Sequence, residues 1–251
     1  MERLDKIIAS QGKYSRSEVK KLVKAGLVTV NGKAVKTSDV KCDTSIDEIV
    51  VDGVSLNYKK HLYIMLNKPK GVISATEDAS QKTVIDLVPP ELKRQGLFPA
   101  GRLDGDTTGF VLITDDGDFA HRILSPKNHI MKTYHATLRH SLTDEDIVRF
   151  KEGLTLGDGT ECLEAHVRML PDRENVAEVK ICEGKYHQVK RMFASLSNKV
   201  LELKRVQMGA LPLDESLPEG MCRELTEEEL RLVEFAIRDS RFAIAPDISE
   251  S

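Results

Sequence analysis

Apolar positions along the chain recur with two different periods. Near the start, Leu4, Ile7 and Ile8 are spaced three and four apart and predict a short helix over 3–10. Ser15 opens the capping-box pattern Ser15-x-x-Glu18, and Val19, Leu22 and Val23 form one stripe behind it. Gly26 stands where a helix gives way to a left-handed residue. Lys20, Lys21 and Lys24 fall on the remaining faces, so this second helix is basic outside and apolar inside. The period then shortens to two. Segments 28–30 and 33–35 flank Asn31-Gly32, a pair suited to the positive φ angles of a tight hairpin turn. Asp52-Gly53 repeats the signal between 49–51 and 54–56.

Beyond position 61 the pattern alternates irregularly. Strands are predicted over 62–67, 72–75, 110–114, 134–138, 165–170, 176–182 and 200–208, with Lys68-Pro69-Lys70-Gly71 breaking the first two apart. Helices are predicted over 119–124, 143–153, 186–197 and from the Thr226-x-x-Glu229 cap to 238. Strands and helices do not take strict turns, which argues against a doubly wound parallel sheet. The expected fold class is α+β: a small N-terminal α/β module, then a domain with a large, mainly antiparallel mixed sheet flanked by helices. The expected divisions are 1–58 for the module, 59–61 for a linker, 62–238 for the larger domain, and a frayed acidic tail over 239–251.

Composition narrows the classes. With 40% apolar residues in 251 the chain can build a core, so wholesale disorder is excluded. No run of 18 apolar residues is present and the first residues lack an apolar signal core, so the expected setting is cytoplasmic, with no membrane. The cysteines at 42, 162, 182 and 222 form no C-x-x-C pair, which speaks against a zinc site or a disulfide framework. The net charge of −3 is an average of unlike parts. Residues 1–41 hold ten basic and four acidic side chains, a net +6, whereas residues 214–251 hold eleven acidic and four basic, a net −7. A basic head of this kind points to a polyanion partner.

Cofactor signatures are absent: no G-x-x-x-x-G-K-[ST] loop exists, and Gly157-Asp158-Gly159 does not extend to G-x-G-x-x-G. The acidic cluster Asp104, Asp106, Asp115, Asp116, Asp118 lacks the calcium-loop register. The segment Gly101-Arg102-Leu103-Asp104-Gly105-Asp106-Thr107-Thr108-Gly109 precedes an apolar strand. Its composition is compatible with a plain tight loop whose Asp side chains bond to the backbone. Composition alone favours that reading over the alternative, a carboxylate held at a strand edge by a shaped loop.

Two stretches carry a family resemblance. RLDKIIASQGKYSRSEVKKLVKAGLVTVNGKAV resembles the small RNA-binding module first described in ribosomal protein S-four. GRLDGDTTGFVLITDDGDFAHRILSPKNHIMKTYHATL, with EGKYHQVKRMFASLSNKVLELKRVQMG and Asn67–Gly71, resembles the pseudouridine synthases, and in detail the RsuA type that modifies small-subunit ribosomal RNA. The resemblance implies isomerisation of a uridine of 16S rRNA, of the type numbered 516, without a cofactor or metal. Breaking the N1–C1′ bond and remaking it at C5 requires the base to leave the stack. The implied partner is small-subunit rRNA or a ribosomal assembly intermediate; a monomer is the default expectation. A large-subunit synthase and a non-catalytic assembly factor on the same fold are the alternatives.

Matching residues carry implied roles. Asp104 matches the catalytic aspartate, acting as nucleophile or base near C1′; both routes stay open and both need an ionised carboxylate. On a helix at about 100° per residue, Val189, Met192, Phe193 and Leu196 share a face and Lys190 lies at its edge, able to lean toward Asp104. Arg191 points away, toward solvent or phosphate. Tyr134 matches the tyrosine beside the flipped base. Arg102, Lys132, His187 and Gln188 are expected to contact the nucleotide or its neighbours, and Arg3, Lys6, Arg16 and Lys20 to meet phosphates from the head.

Overall fold

The computed structural model describes residues 1–238 and divides into two compact units. Residues 239–251, expected as a frayed tail, lie outside the described residues. The first unit comprises Met1–Leu62 with Val88–Leu97; the second comprises Tyr63–Leu87 and the chain from Phe98 onward.

In the first unit, β1 (Glu2–Arg3) leads into α1 (Leu4–Ser10) and α2 (Arg16–Lys24). Then come β2 (Val28–Val30), β3 (Lys33–Ala34), β4 (Lys41–Cys42), β5 (Ile49–Val51) and β6 (Val54–Ser55). The cap of α2 is reciprocal: the Glu18 amide donates to the Ser15 hydroxyl at 3.3 Å and the Ser15 amide to the Glu18 carboxylate at 2.7 Å. Asn31 and Gly32 take φ of 50° and 74°, as the turn requires. The antiparallel order β3-β2-β5-β6 presents Val28, Ile49 and Val51 to Leu4, Ile7, Ile8, Val19 and Val23 of the helices. The lysines of α2 are left outside.

The second unit holds β7 (Tyr63–Lys68), β8 (Phe98–Ala100), β9 (Thr108–Thr114), α3 (Gly117–Leu124), β10 (Lys132–Leu138) and α4 (Asp144–Glu152). It continues through β11 (His166–Met169), β12 (Val176–Ile181), α5 (Gln188–Ser195), β13 (Val200–Met208), β14 (Leu211–Pro212), β15 (Cys222–Glu224) and α6 (Glu227–Arg238). These strands make one nine-stranded sheet with the central order β11-β12-β10-β13-β9-β7-β15. Every strand pair in it is antiparallel except β13 with β9. Phe110 and Leu112 of β9 pack with Phe119 and Ile123 of α3 and Val233 of α6. A fully buried side chain of this size contributes roughly 1.5–3 kcal/mol. A second contact joins α4 to α5, where the Phe150 and Phe193 rings lie 5.0 Å apart. No helix among the described residues is long and apolar enough to cross a membrane.

Three expectations shift. The segment 72–75 is not a strand; it makes only an isolated parallel bridge, Ile73 to Thr83. The strand β8 was hidden by Pro99, which sits on a short strand with a single partner, where a missing N–H does little harm. The predicted helix over 186–197 is shorter, because His187 adopts a left-handed conformation (φ 47°) just before it.

Candidate active site

The loop 101–107 hangs between the ends of β8 and β9, and its position is fixed through the backbone. Arg205 on β13 is 2% exposed; its Nε donates to the Phe110 carbonyl at 2.7 Å and its Nη2 to the Gly101 carbonyl at 3.1 Å. Lys68, at the end of β7, is fully buried. Its ammonium donates to the carbonyls of Thr107 (2.8 Å), Pro69 (3.1 Å) and Gly105 (3.4 Å). Ser74 exchanges two hydrogen bonds of 2.9 Å with the backbone of Leu103. The loop is thus held at its entry, middle and exit. Gly109 permits the parallel pairing beside it: its φ is +98°, and a Cβ there would lie 2.2 Å from the Arg205 carbonyl oxygen.

The constraint aims Asp104 at α5. Val189, Met192 and Phe193 bury one side of that helix, which brings the Lys190 ammonium 3.0 Å from Asp104 Oδ2. The same ammonium reaches Asp106 Oδ1 at 2.5 Å, and His187 Nε2 lies 3.4 Å from Asp104 Oδ1. The hydrogen bond from Lys190 holds the Asp106 carboxyl below the ordinary aspartate range, against the opposing effect of burial. Burial works to lower the Lys190 ammonium, but its bonds to Asp106 and Asp104 outweigh it and leave the group raised. Tyr134 on β10, 7% exposed, faces the same cleft. That cleft, about 400 Å³ with its open mouth, has Asp104, Tyr134, Arg102, His187, Gln188 and Leu203 on its walls. The Asp104 carboxylate and the Tyr134 side chain therefore share the wall of one small cleft.

The other expected residues divide. Arg102 is exposed and stands on the cleft wall. Gln188 is buried, donating to Glu183 Oε1 at 2.5 Å and accepting from the Lys185 amide at 2.9 Å, so its amide braces the turn that carries His187. Arg191 pairs with Asp158 at 2.5 Å and donates to the Tyr186 carbonyl at 3.2 Å. Lys132 departs from its expected place on the RNA-facing surface. It is 4% exposed and donates to the Cys182 carbonyl at 2.9 Å; burial, with Arg205 nearby, pushes it down to about 8. In the first unit Arg3 forms a two-bond pair with the buried Asp5, at 3.0 and 2.8 Å, and Lys6 pairs with Glu2, while Arg16 and Lys20 are exposed. Sequence reasoning missed Lys68 and Arg205 as supports of the loop and Asp106 as a second partner of Lys190. The one available signal was the lysine before Pro69, in a run otherwise apolar.

Comparison with known proteins follows this division of the chain. Residues 62–195 match the RNA pseudouridylate synthase family, and residues 2–45 match the S4 domain. The chain belongs to the RNA pseudouridylate synthase family. It is 47% identical to the uncharacterized RNA pseudouridine synthase YtzG of Bacillus subtilis, across 92% of this chain and 98% of that one. It is 44% identical to the ribosomal small subunit pseudouridine synthase A of Vibrio vulnificus, across 91% and 97%. A crystal structure of a pseudouridylate synthase, 39% identical, superposes with a TM-score of 0.63 over 93% of this chain and all of that chain. As a pseudouridine synthase the protein is an isomerase of uridine in RNA, and the S4 domain supplies an RNA-binding module.

Proposed function

We propose that this synthase isomerises one uridine of 16S small-subunit rRNA, of the type numbered 516, in the cytoplasm, with Asp104 as the catalytic carboxylate. The single observation that carries the chemistry is the Asp104 carboxylate, 3.0 Å from the Lys190 ammonium, in the cleft faced by the Tyr134 ring. The substrate rests on kinship: relatives named ribosomal small subunit pseudouridine synthase A are 40–44% identical over nine-tenths of the chain.

Flipping the uridine out of its stack costs a few kcal/mol. The Tyr134 ring recovers part of that by packing on the uracil face, and Arg102 and His187 hold the nucleotide at the mouth. Asp104 acts at the sugar while the N1–C1′ bond breaks. The freed uracil turns within the cleft and C5 bonds to C1′; the C5 proton leaves to solvent, and N1, which kept the electron pair of the broken bond, takes up a proton in return. Lys190 supplies a counter-charge 3.0 Å from the carboxylate and holds it aimed into the cleft. The S4 domain, through Arg16 and Lys20, meets phosphates without reading sequence.

Two measurements test this reading. Asp104→Asn, which keeps the shape and removes the charge, is expected to abolish pseudouridine formation while RNA affinity stays within about threefold; unchanged turnover sinks the assignment. Mapping pseudouridine in both rRNAs of a deletion strain is expected to show one missing site in 16S rRNA. A missing site only in the large subunit overturns the substrate.

A further inference from the structure

A second cleft opens beside the first. It is about 630 Å³ with its open mouth, and Asp106, Lys190, Ala194, Lys199, Leu201 and Leu203 shape it. Leu203 stands on the wall of both clefts, and Lys190 binds the carboxylate of each, Asp104 on one side and Asp106 on the other. The two spaces therefore meet at one ammonium and one leucine.

The floor of this second space is built by an irregularity in β13. Thr137 of β10 faces Glu202, but Leu138 faces Val200, so Leu201 is the extra residue of a β-bulge. A bulge re-aims side chains, and this one leaves Leu201 53% exposed on the wall of a cleft. The rim is rigid. Asn198 donates to the His140 carbonyl at 2.8 Å and accepts from the His140 amide at 3.3 Å, and Ser197 before it is left-handed (φ 58°). The result is a slot lined by the aliphatic side chains of Ala194, Leu201 and Leu203, the exposed Lys199 and the Asp106 carboxylate.

We propose that this slot binds the nucleotide next to the target uridine in the substrate strand. The inference rests on the function proposed above and adds a subsite to it. A strand that delivers its uridine to Asp104 must continue past the cleft, and its neighbouring base is covalently obliged to lie within a nucleotide's reach. An aliphatic floor takes the face of a nucleobase. Lys199 takes the phosphate that leads away, and Asp106, an acceptor, takes an N–H from the base edge. The bulged Leu201 is thereby a contact that positions the nucleotide beside the target.

The test uses the full chain and an RNA fragment containing the uridine that deletion mapping identifies, so that an error in the substrate reading is detected separately. Two further fragments each replace one flanking nucleotide with an abasic residue. In the wild type, one abasic position is expected to raise KM roughly tenfold, as for losing about 55 Å² of apolar contact at about 25 cal/mol per Å², with kcat within about twofold. Leu201→Asp is expected to raise KM comparably on the intact fragment and to lose nothing further on that abasic one; Leu201→Ala is expected to fall between. An unaltered thermal midpoint for these surface variants separates the effect from misfolding. The proposal is overturned if neither abasic position alters the wild-type KM by more than about twofold, or if the abasic loss persists in full in Leu201→Asp.

Discussion

Replacing Lys68 by methionine separates what a buried charge does for stability from what it does for catalysis. Methionine matches the length of the lysine stem but makes none of the three bonds to the Thr107, Pro69 and Gly105 carbonyls. Burial pushes the Lys68 ammonium down to about 8, with Asp106 and Asp104 opposing that fall; the ordinary lysine value is 10.5. The folded chain therefore releases this proton before the unfolded chain does. Between pH 8 and 10.5 the unfolded state holds more protons, so stability from this group rises with pH. From pH 7 to 9.5 the gain is about 2 kcal/mol in the wild type and zero in the variant. At pH 7 the variant sheds the charge-burial penalty, about 3 kcal/mol. It also loses hydrogen bonds from a charged donor, about 1.5–3 kcal/mol each and partly recovered by relaxation. The net change in stability at pH 7 is expected to be within about 2 kcal/mol. Catalysis has no such compensation. Gly105 and Thr107 flank Asp106 and follow Asp104, and a loop shift near 1 Å is expected to lower kcat about 100-fold. Urea unfolding at both pH values, with single-turnover kinetics at pH 7, checks both halves. A variant that keeps kcat within about threefold and gains stability with pH in parallel with the wild type would refute the reasoning.

Other substitutions probe other links. Lys190→Met is expected to lower kcat about 100-fold by leaving Asp104 unaimed, and Lys190→Arg to recover part of it; equal rates in the two variants count against an ion-pair role. Gly109→Ala forces a Cβ against the Arg205 backbone at a positive φ. It is expected to destabilise by more than about 3 kcal/mol, and a thermal midpoint within 2 °C of wild type would contradict that. Arg16→Ala with Lys20→Ala is expected to flatten the salt dependence of RNA affinity by about one to two phosphate contacts, with kcat at saturating RNA unchanged. A slope equal to wild type removes these side chains from the phosphate interface.

What the sequence disclosed was chemistry that acts over a few residues. The Ser15–Glu18 and Thr143–Asp146 caps, the Asn31-Gly32 and Asp52-Gly53 turns and the apolar run of β9 are decided locally, and each stands where pattern placed it. The Asp104–Lys190 approach also had a local basis, since an edge position on an amphipathic helix limits where the ammonium can go. The supports of the loop had none. Lys68, Lys132 and Arg205 are charged residues that lie inside, satisfied by backbone carbonyls from distant segments, and hydropathy assigns such residues to the surface. The left-handed His187 and the bulge at Leu201 are likewise set by tertiary context, so the start of α5 and the second cleft had no signature in the pattern.

The placement of β13 also governs when the enzyme comes into being. It enters the sheet between β10 and β9 and forms the parallel pair, and Arg205 reaches Phe110 across 95 residues of chain. Contacts that distant in sequence form late, because loop closure must precede them. During synthesis the Asp104 loop lacks its Arg205 anchor until β13 has left the ribosome. A nascent chain that already displays its RNA-binding module is therefore expected to hold RNA before it can alter it, because the catalytic loop waits for β13.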